Sequence, residues 1–154
     1  MNSYKSIIFI MAFLILVPSR TVANPYLVAE PQLETRMVWD VSPNGNILIS
    51  YDLDGNGIAD FFSLRIVIQA YFGEKDPLKI KGQWPGKFIF LIQHESTNFY
   101  YITGPHPHFY AIDINEDGHW DLIYKDVSED SVNGNEVFYA SPSGMFTKQI
   151  ASIK

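Results

Sequence analysis

From Arg36 onward the chain alternates between short apolar runs and clusters of Gly, Pro, Asn, Asp and Ser. Turn residues recur about every 8–12 positions, the spacing of an all-β domain. Arg36 to Val41 and Ile47 to Tyr51 read as two strands joined by Ser42-Pro43-Asn44-Gly45-Asn46, whose Asn and Gly tolerate positive φ. Beyond Asp60, the residues Phe62, Leu64, Ile66, Ile68 and Ala70 alternate with Ser63, Arg65 and Gln69. That period of two places the apolar set on one sheet face, and the β-branched run Ile66-Val67-Ile68 resists helix. Further strands are expected near Leu78–Lys81, Lys87–Gln93, Asn98–Thr103, Phe109–Ile112, Leu122–Lys125, Glu136–Ala140 and Met145–Ile150. The fold expected is all-β: a compact single domain of about nine or ten short antiparallel strands, with no long helix after the N-terminal segment.

Two of the intervening turns carry chemistry. In Asp52-Leu53-Asp54-Gly55-Asn56-Gly57-Ile58-Ala59-Asp60, oxygen-bearing side chains occupy positions 1, 3, 5 and 9, and a glycine occupies position 6. A hard cation such as Ca²⁺ takes about six to eight oxygens, and a tight loop with alternate acids supplies them. The glycine lets the backbone turn sharply, so that the carbonyl at position 7, here Ile58, becomes a further expected ligand. The same grammar returns in Asp113-Ile114-Asn115-Glu116-Asp117-Gly118-His119-Trp120-Asp121. The expected ligand sets are therefore Asp52, Asp54, Asn56, Ile58 and Asp60, and Asp113, Asn115, Asp117, His119 and Asp121.

The flanks decide which kind of calcium loop this is. An EF-hand needs a helix on each side and a bidentate Glu at position 12. Position 12 is Ser63 in the first copy and Tyr124 in the second, and strands flank both copies. Each loop is therefore expected at the tip of a β-hairpin.

Composition adds an address and a sign. Lys5, the apolar run Ile7 to Val17, Pro18, and the small residues around Ala23 have the layout of a cleavable secretory signal, too short to span a bilayer comfortably. Cleavage after Ala23 implies a secreted or periplasmic protein, a leader over 24–34, a β domain over 35–154 and no stable membrane span. The chain has no cysteine, so metal is the available staple for an exported domain of this size. Formal net charge is −6, with the acids concentrated in the two loops, and no basic patch exists to follow a phosphate backbone. Nucleic-acid binding is disfavoured.

The segment from Phe109 to Ile150 resembles a single FG-GAP or VCBS-type repeat, the blade unit of integrin-alpha-like propellers. The resemblance rests on Asp-x-Asn-x-Asp-Gly-x-x-Asp-Leu at 113–122, on Val137-Phe138-Tyr139, and on Ser143-Gly144-Met145-Phe146. It implies Ca²⁺ at a hairpin tip, held by Asp113, Asn115, Asp117, the His119 carbonyl and Asp121. The stretch from Tyr51 to Leu64 resembles the loop and its strands only, and 73–92 departs from the repeat. A propeller needs about four or more blades, so a monomer of this chain is not expected to close one. Assembly of several chains into a ring is the alternative.

Other candidates are thinner. His106 and His108 alternate, but no third or fourth ligand stands at transition-metal spacing, and Pro107 separates them. Trp84, between Gln83 and Pro85, is a candidate sugar-stacking platform. No Gly-x-Ser-x-Gly elbow and no Cys nucleophile are present. The functional expectation is an exported, non-enzymatic domain in which Ca²⁺ is structural and a surface engages an extracellular protein or glycan. The alternatives are a carbohydrate-binding or adhesive module, and a small hydrolase using the loop carboxylates.

Overall fold

The computed structural model describes residues 27–73 and 76–148. The expected signal segment and the start of the leader lie outside the described residues, as does the chain from Gln149 onward. Nine strands are described: β1 (Arg36–Val41), β2 (Ile47–Tyr51), β3 (Phe61–Arg65), β4 (Val67–Phe72), β5 (Phe88–His94), β6 (Thr97–Thr103), β7 (Phe109–Ile112), β8 (Leu122–Lys125) and β9 (Val137–Ala140). One short helix, α1 (Pro77–Gln83), lies between β4 and β5. The strands form a six-stranded sheet, β1-β2-β3-β7-β8-β9, and a three-stranded sheet, β4-β6-β5, with antiparallel pairing throughout. The larger sheet is open, with β1 and β9 at its edges.

The large sheet is built from hairpins. At the β1–β2 turn, Gly45 adopts a φ of 80° and its N–H closes onto the Ser42 carbonyl at 2.8 Å. The β2–β3 and β7–β8 hairpins lie side by side because β3 pairs with β7, Phe61 standing opposite Ile112 and Ser63 opposite Tyr110. Everything between β3 and β7, namely the small sheet and α1, is an excursion from that doubled hairpin.

Alternation sets the faces. Ile47, Ile49, Tyr51, Phe61, Tyr110, Leu122 and Tyr124 are buried on one face of the large sheet, with Phe90 of β5 packed against them. Trp39 meets Phe90 edge-on at 5.1 Å, and Tyr110 stacks on Tyr124 at 5.0 Å. Each such ring contributes about 1.5–3 kcal/mol by leaving water. The small sheet is a second layer, and α1 covers its other side through Ile80, Tyr100 and Ile102.

Three expectations are corrected here. First, the 62–70 alternation is not one strand, because the chain changes sheets at Ile66. The buried side of β3 is Phe61, Ser63 and Arg65, while Phe62 and Leu64 are half-buried on the outer face. On that buried side Arg65, 2% exposed, pairs with Glu30. Second, Leu78–Lys81 is helical. Its Leu-Lys-Ile-Lys alternation imitates a strand, but Asp76 accepts hydrogen bonds from the Leu78 and Lys79 N–H groups, and Pro77 opens the first turn. Third, Met145–Lys148 is a turn leading into helical backbone, not a strand; the Phe146 N–H is taken by the Ser141 hydroxyl at 2.9 Å.

The stretch expected as a leader also packs on the domain. Glu30 accepts from the Tyr51 hydroxyl at 3.0 Å and from the Ser63 hydroxyl, besides its contact with Arg65. The Tyr124 hydroxyl donates to the Val28 carbonyl. Residues 27–35 thus run across the face of the large sheet as a strap pinned by the Glu30 carboxylate and the Val28 carbonyl.

Candidate metal centre

Both predicted loops sit at the same end of the large sheet, at the β2–β3 and β7–β8 tips. Hydrogen bonding repeats almost position for position between them. At position 1, Asp52 accepts from the N–H groups of Gly55 at 2.6 Å, Asn56 at 3.2 Å and Gly57 at 2.6 Å. Asp113 accepts from Asp117 at 3.2 Å and Gly118 at 2.9 Å. At position 5, Asn56 accepts from the Ile58 N–H at 2.8 Å, and Asp117 from the His119 N–H at 2.9 Å. At position 9, Asp60 accepts from the Leu53 N–H at 2.9 Å, and Asp121 from the Ile114 N–H at 2.8 Å. Positive φ falls at positions 4 and 6 in both: Gly55 and Gly57, Glu116 and Gly118.

The loops touch. The Asn56 side-chain amide donates to Glu116 at 2.6 Å, and the Asp113 N–H donates to the Asp60 carbonyl at 2.9 Å. Two cation loops would therefore share a wall.

Asp52 and Asp117 are held toward the charged form. The Gly57 N–H, joined by those of Gly55 and Asn56, keeps the Asp52 carboxyl below the ordinary carboxylate range. The His119 N–H, with the Asn115 side-chain amide, does the same for Asp117. In the first loop, Asp52, Asp54 and Asp60 each offer an oxygen within 4.8 Å of the others' oxygens. Among the described residues that is the group of three acids that converges so closely. The second loop is the more enclosed: Asp113 and Asp121 are buried, and Oδ1 of the fully buried Asp121 has no hydrogen-bond partner. A buried carboxylate oxygen with no donor is unfavourable by about 1–3 kcal/mol, and a cation bound there would satisfy it.

The other residues expected as ligands lie within the same two loops. Asp54 lies beside Asn56, whose side-chain amide reaches it at 3.2 Å, and Asn115 reaches Asp117 at 3.1 Å. Ile58 and His119 are exposed at position 7 of their loops. Donor chemistry fits a hard cation: carboxylates, amide oxygens and backbone carbonyls, with no thiolate. The histidines do not gather. His108 Nδ1 lies 2.9 Å from Glu129, and His119 Nδ1 lies 3.3 Å from Asp117. Trp84 is half-buried, packs against the Ile80 cluster and donates its indole N–H to Tyr71 at 3.1 Å, so it is not a free stacking platform.

A third turn of the same shape escaped the sequence pattern. Asp126, buried at the opposite end of β8, accepts from Ser128 at 3.1 Å, Glu129 at 2.7 Å and Ser131 at 2.9 Å. Positive φ again falls at the fourth and sixth positions, Glu129 and Ser131. The signal was the Asp-x-Ser-x-Asp spacing from Asp126 to Asp130, masked by Ser131 where the other loops have glycine and by Gly134 where they have aspartate.

No protein-family model, curated protein or solved structure matches this chain.

Proposed function

We propose that this chain is an exported calcium-binding β domain, of the FG-GAP or VCBS repeat type, in which Ca²⁺ is structural. The residues that would hold the ions are Asp52, Asp54, Asn56, Asp60 and the Ile58 carbonyl in one loop. In the other they are Asp113, Asn115, Asp117, Asp121 and the His119 carbonyl. Bound there, Ca²⁺ supplies positive charge between acids that otherwise repel one another.

The observation that carries the reading is the Asp121 Oδ1 atom, buried without a donor inside a loop whose hydrogen bonding repeats that of its neighbour. The consequence is mechanical. Loop 52–60 ties β2 to β3 and loop 113–121 ties β7 to β8, and the β3–β7 pairing joins the two hairpins. Ions at this end clamp the four central strands of the large sheet, leaving the rest of the surface for a protein or glycan partner outside the cell.

Titration calorimetry on chelator-treated protein tests this. The expected result is two sites in the extracellular range, with Kd about 10⁻⁴–10⁻³ M. Absence of heat with Ca²⁺, or unchanged binding after Asp52→Ala and Asp113→Ala together, would overturn it.

A further inference from the structure

The outer face of the large sheet, opposite the core, carries its side chains in rows set by the strand register. One row runs Asp40, Leu48, Leu64, Phe109, Lys125 across β1, β2, β3, β7 and β8. The next runs Val38, Ser50, Phe62, Ala111, Ile123 across the same strands. From β2 to β8 the apolar members of both rows line one continuous groove of about 210 Å³, walled by Trp120 and Tyr139. None of them belongs to either buried cluster, and Val38 and Tyr139 are 62% and 61% exposed.

We propose that this face packs on the same face of a second copy, about a twofold axis that runs along β3. Charge placement selects both the occupant and the axis. Among the outward side chains of the five strands, Asp40 and Lys125 are the charged ones, and they end one row about 19 Å apart, each two strands from β3. Neither has an ion-pair partner among the described residues, and the Lys125 ammonium lies over the Phe109 ring at 5.6 Å, on the face itself. A twofold along β3 exchanges β1 with β8 and β2 with β7, so that each Asp40 meets Lys125 of the second copy. Between those two ion pairs Leu48 meets Phe109, and Leu64 meets its own counterpart. In the other row Phe62 also meets itself, and its neighbours Ser50 and Ala111 are small, which leaves room for the facing ring. Two such faces stack about 10 Å apart, as the sheets of a sandwich do. A twofold across the strands would instead set like charge against like. A glycan suits the face less well, because between the end charges the rows offer one hydroxyl, Ser50, already spent on the Val38 carbonyl at 3.2 Å. The proposal uses none of the loop residues and stands apart from the cation reading.

Sedimentation velocity at physiological ionic strength, from micromolar to millimolar protein, tests this. Under those conditions a Debye length of about 8 Å screens the acidic loop ends that the axis sets side by side. The expected result is a monomer–dimer equilibrium with no larger species, because a twofold closes on itself. Asp40→Lys alone and Lys125→Asp alone should each weaken dimerisation at least about tenfold, since each replaces two attractions by two repulsions. An equimolar mixture of the two variants should recover the dimer, because every end contact again joins opposite charges, and so should the double variant. Circular dichroism matching the unaltered protein confirms that each single variant is folded. Monomer at every concentration, a dimer indifferent to both single variants, growth beyond the dimer, or folded variants that stay monomeric when mixed would each overturn the proposal.

Discussion

Removing the Glu30 carboxylate should destabilise the fold far more than a polar residue in an irregular N-terminal stretch suggests. Arg65 is 2% exposed, and Glu30 is its carboxylate partner. Breaking a buried pair from one side costs about 3–5 kcal/mol, because the remaining charge stays out of water. Two features place Glu30→Ala toward the lower end of that range. Arg65 keeps hydrogen bonds to the Gly104 and Pro105 carbonyls, at 3.0 and 2.9 Å, and its guanidinium lies 4.7 Å from the centre of the Phe88 ring. One feature pushes the other way, since the Tyr51 and Ser63 hydroxyls lose their shared acceptor. The expected cost is about 3 kcal/mol, a large share of a typical 5–15 kcal/mol total.

Urea unfolding followed by tryptophan fluorescence measures this, with Arg65→Met and the double variant completing a cycle. The double variant should be more stable than the two single costs added together predict, by about 2 kcal/mol, because no charge is stranded. A Glu30→Ala cost below about 1 kcal/mol with no coupling would mean that Arg65 is hydrated and the strap stands off the sheet. The dependence on urea should hold its slope; a shallower slope would signal that the strap had already detached from the folded state.

Further outcomes follow from the loops and the tyrosines. Millimolar Ca²⁺ should raise the melting temperature, by about 1.4 kcal/mol of stability per site when free ion is ten times Kd, and Mg²⁺ should do less. Asp113→Ala should weaken that rise more than Asp52→Ala, since Asp113 is buried in the loop that holds the unpartnered Asp121 Oδ1 and Asp52 is only half-buried; equal losses would refute the ranking. Gly118→Ala should cost about 1–2 kcal/mol from backbone strain alone, because φ is +82° and nothing lies within 4 Å of an added Cβ; a neutral result in thermal unfolding would exclude that backbone. Burial raises the pKa of the Tyr110 and Tyr124 hydroxyls, with charge from Asp126 adding at Tyr110. Their stabilising contribution is full below the unfolded tyrosine value of about 10 and is lost as pH rises toward the folded values. An ultraviolet titration should leave both phenols silent until the protein unfolds, and early ionisation of all nine tyrosines would contradict their burial.

Much of the fold was legible because hairpins write themselves locally. β1, β2, β7 and β8 begin and end where the apolar runs do, and the two loops stand out by spacing alone. What the sequence hid was tertiary. Ile66 continues the apolar series of Phe62 and Leu64, yet the chain leaves one sheet for another there, just after Arg65 has paired with Glu30 across 35 residues. Leu78-Lys79-Ile80-Lys81 has strand period and helix caps together, and the caps prevailed because Ile80 finds a hydrophobic seat against Tyr100 and Ile102. Glu30 gave no signal, since a buried carboxylate in an irregular stretch looks like any solvated one until its partner is known.

The Asp126 turn separates two things that the loop pattern alone runs together. Its backbone matches the two loops, with a position-1 aspartate satisfied by three N–H groups and positive φ at positions 4 and 6. That shape is therefore held by peptide donors without any call for an ion. What distinguishes loops 52–60 and 113–121 is the charge left over once position 1 has been satisfied. In the first loop Asp54 and Asp60 remain, converging with Asp52, and in the second Asp117 and Asp121 remain, the latter buried with an oxygen unpartnered. At the Asp126 turn, position 3 is Ser128, position 9 is Gly134, and Asp130 is the one further carboxylate among positions 3, 5 and 9. Positive φ at positions 4 and 6 goes with the turn whether position 6 is Gly118 or Ser131, and the number of acids at positions 3, 5 and 9 is what differs between the two ends of β8.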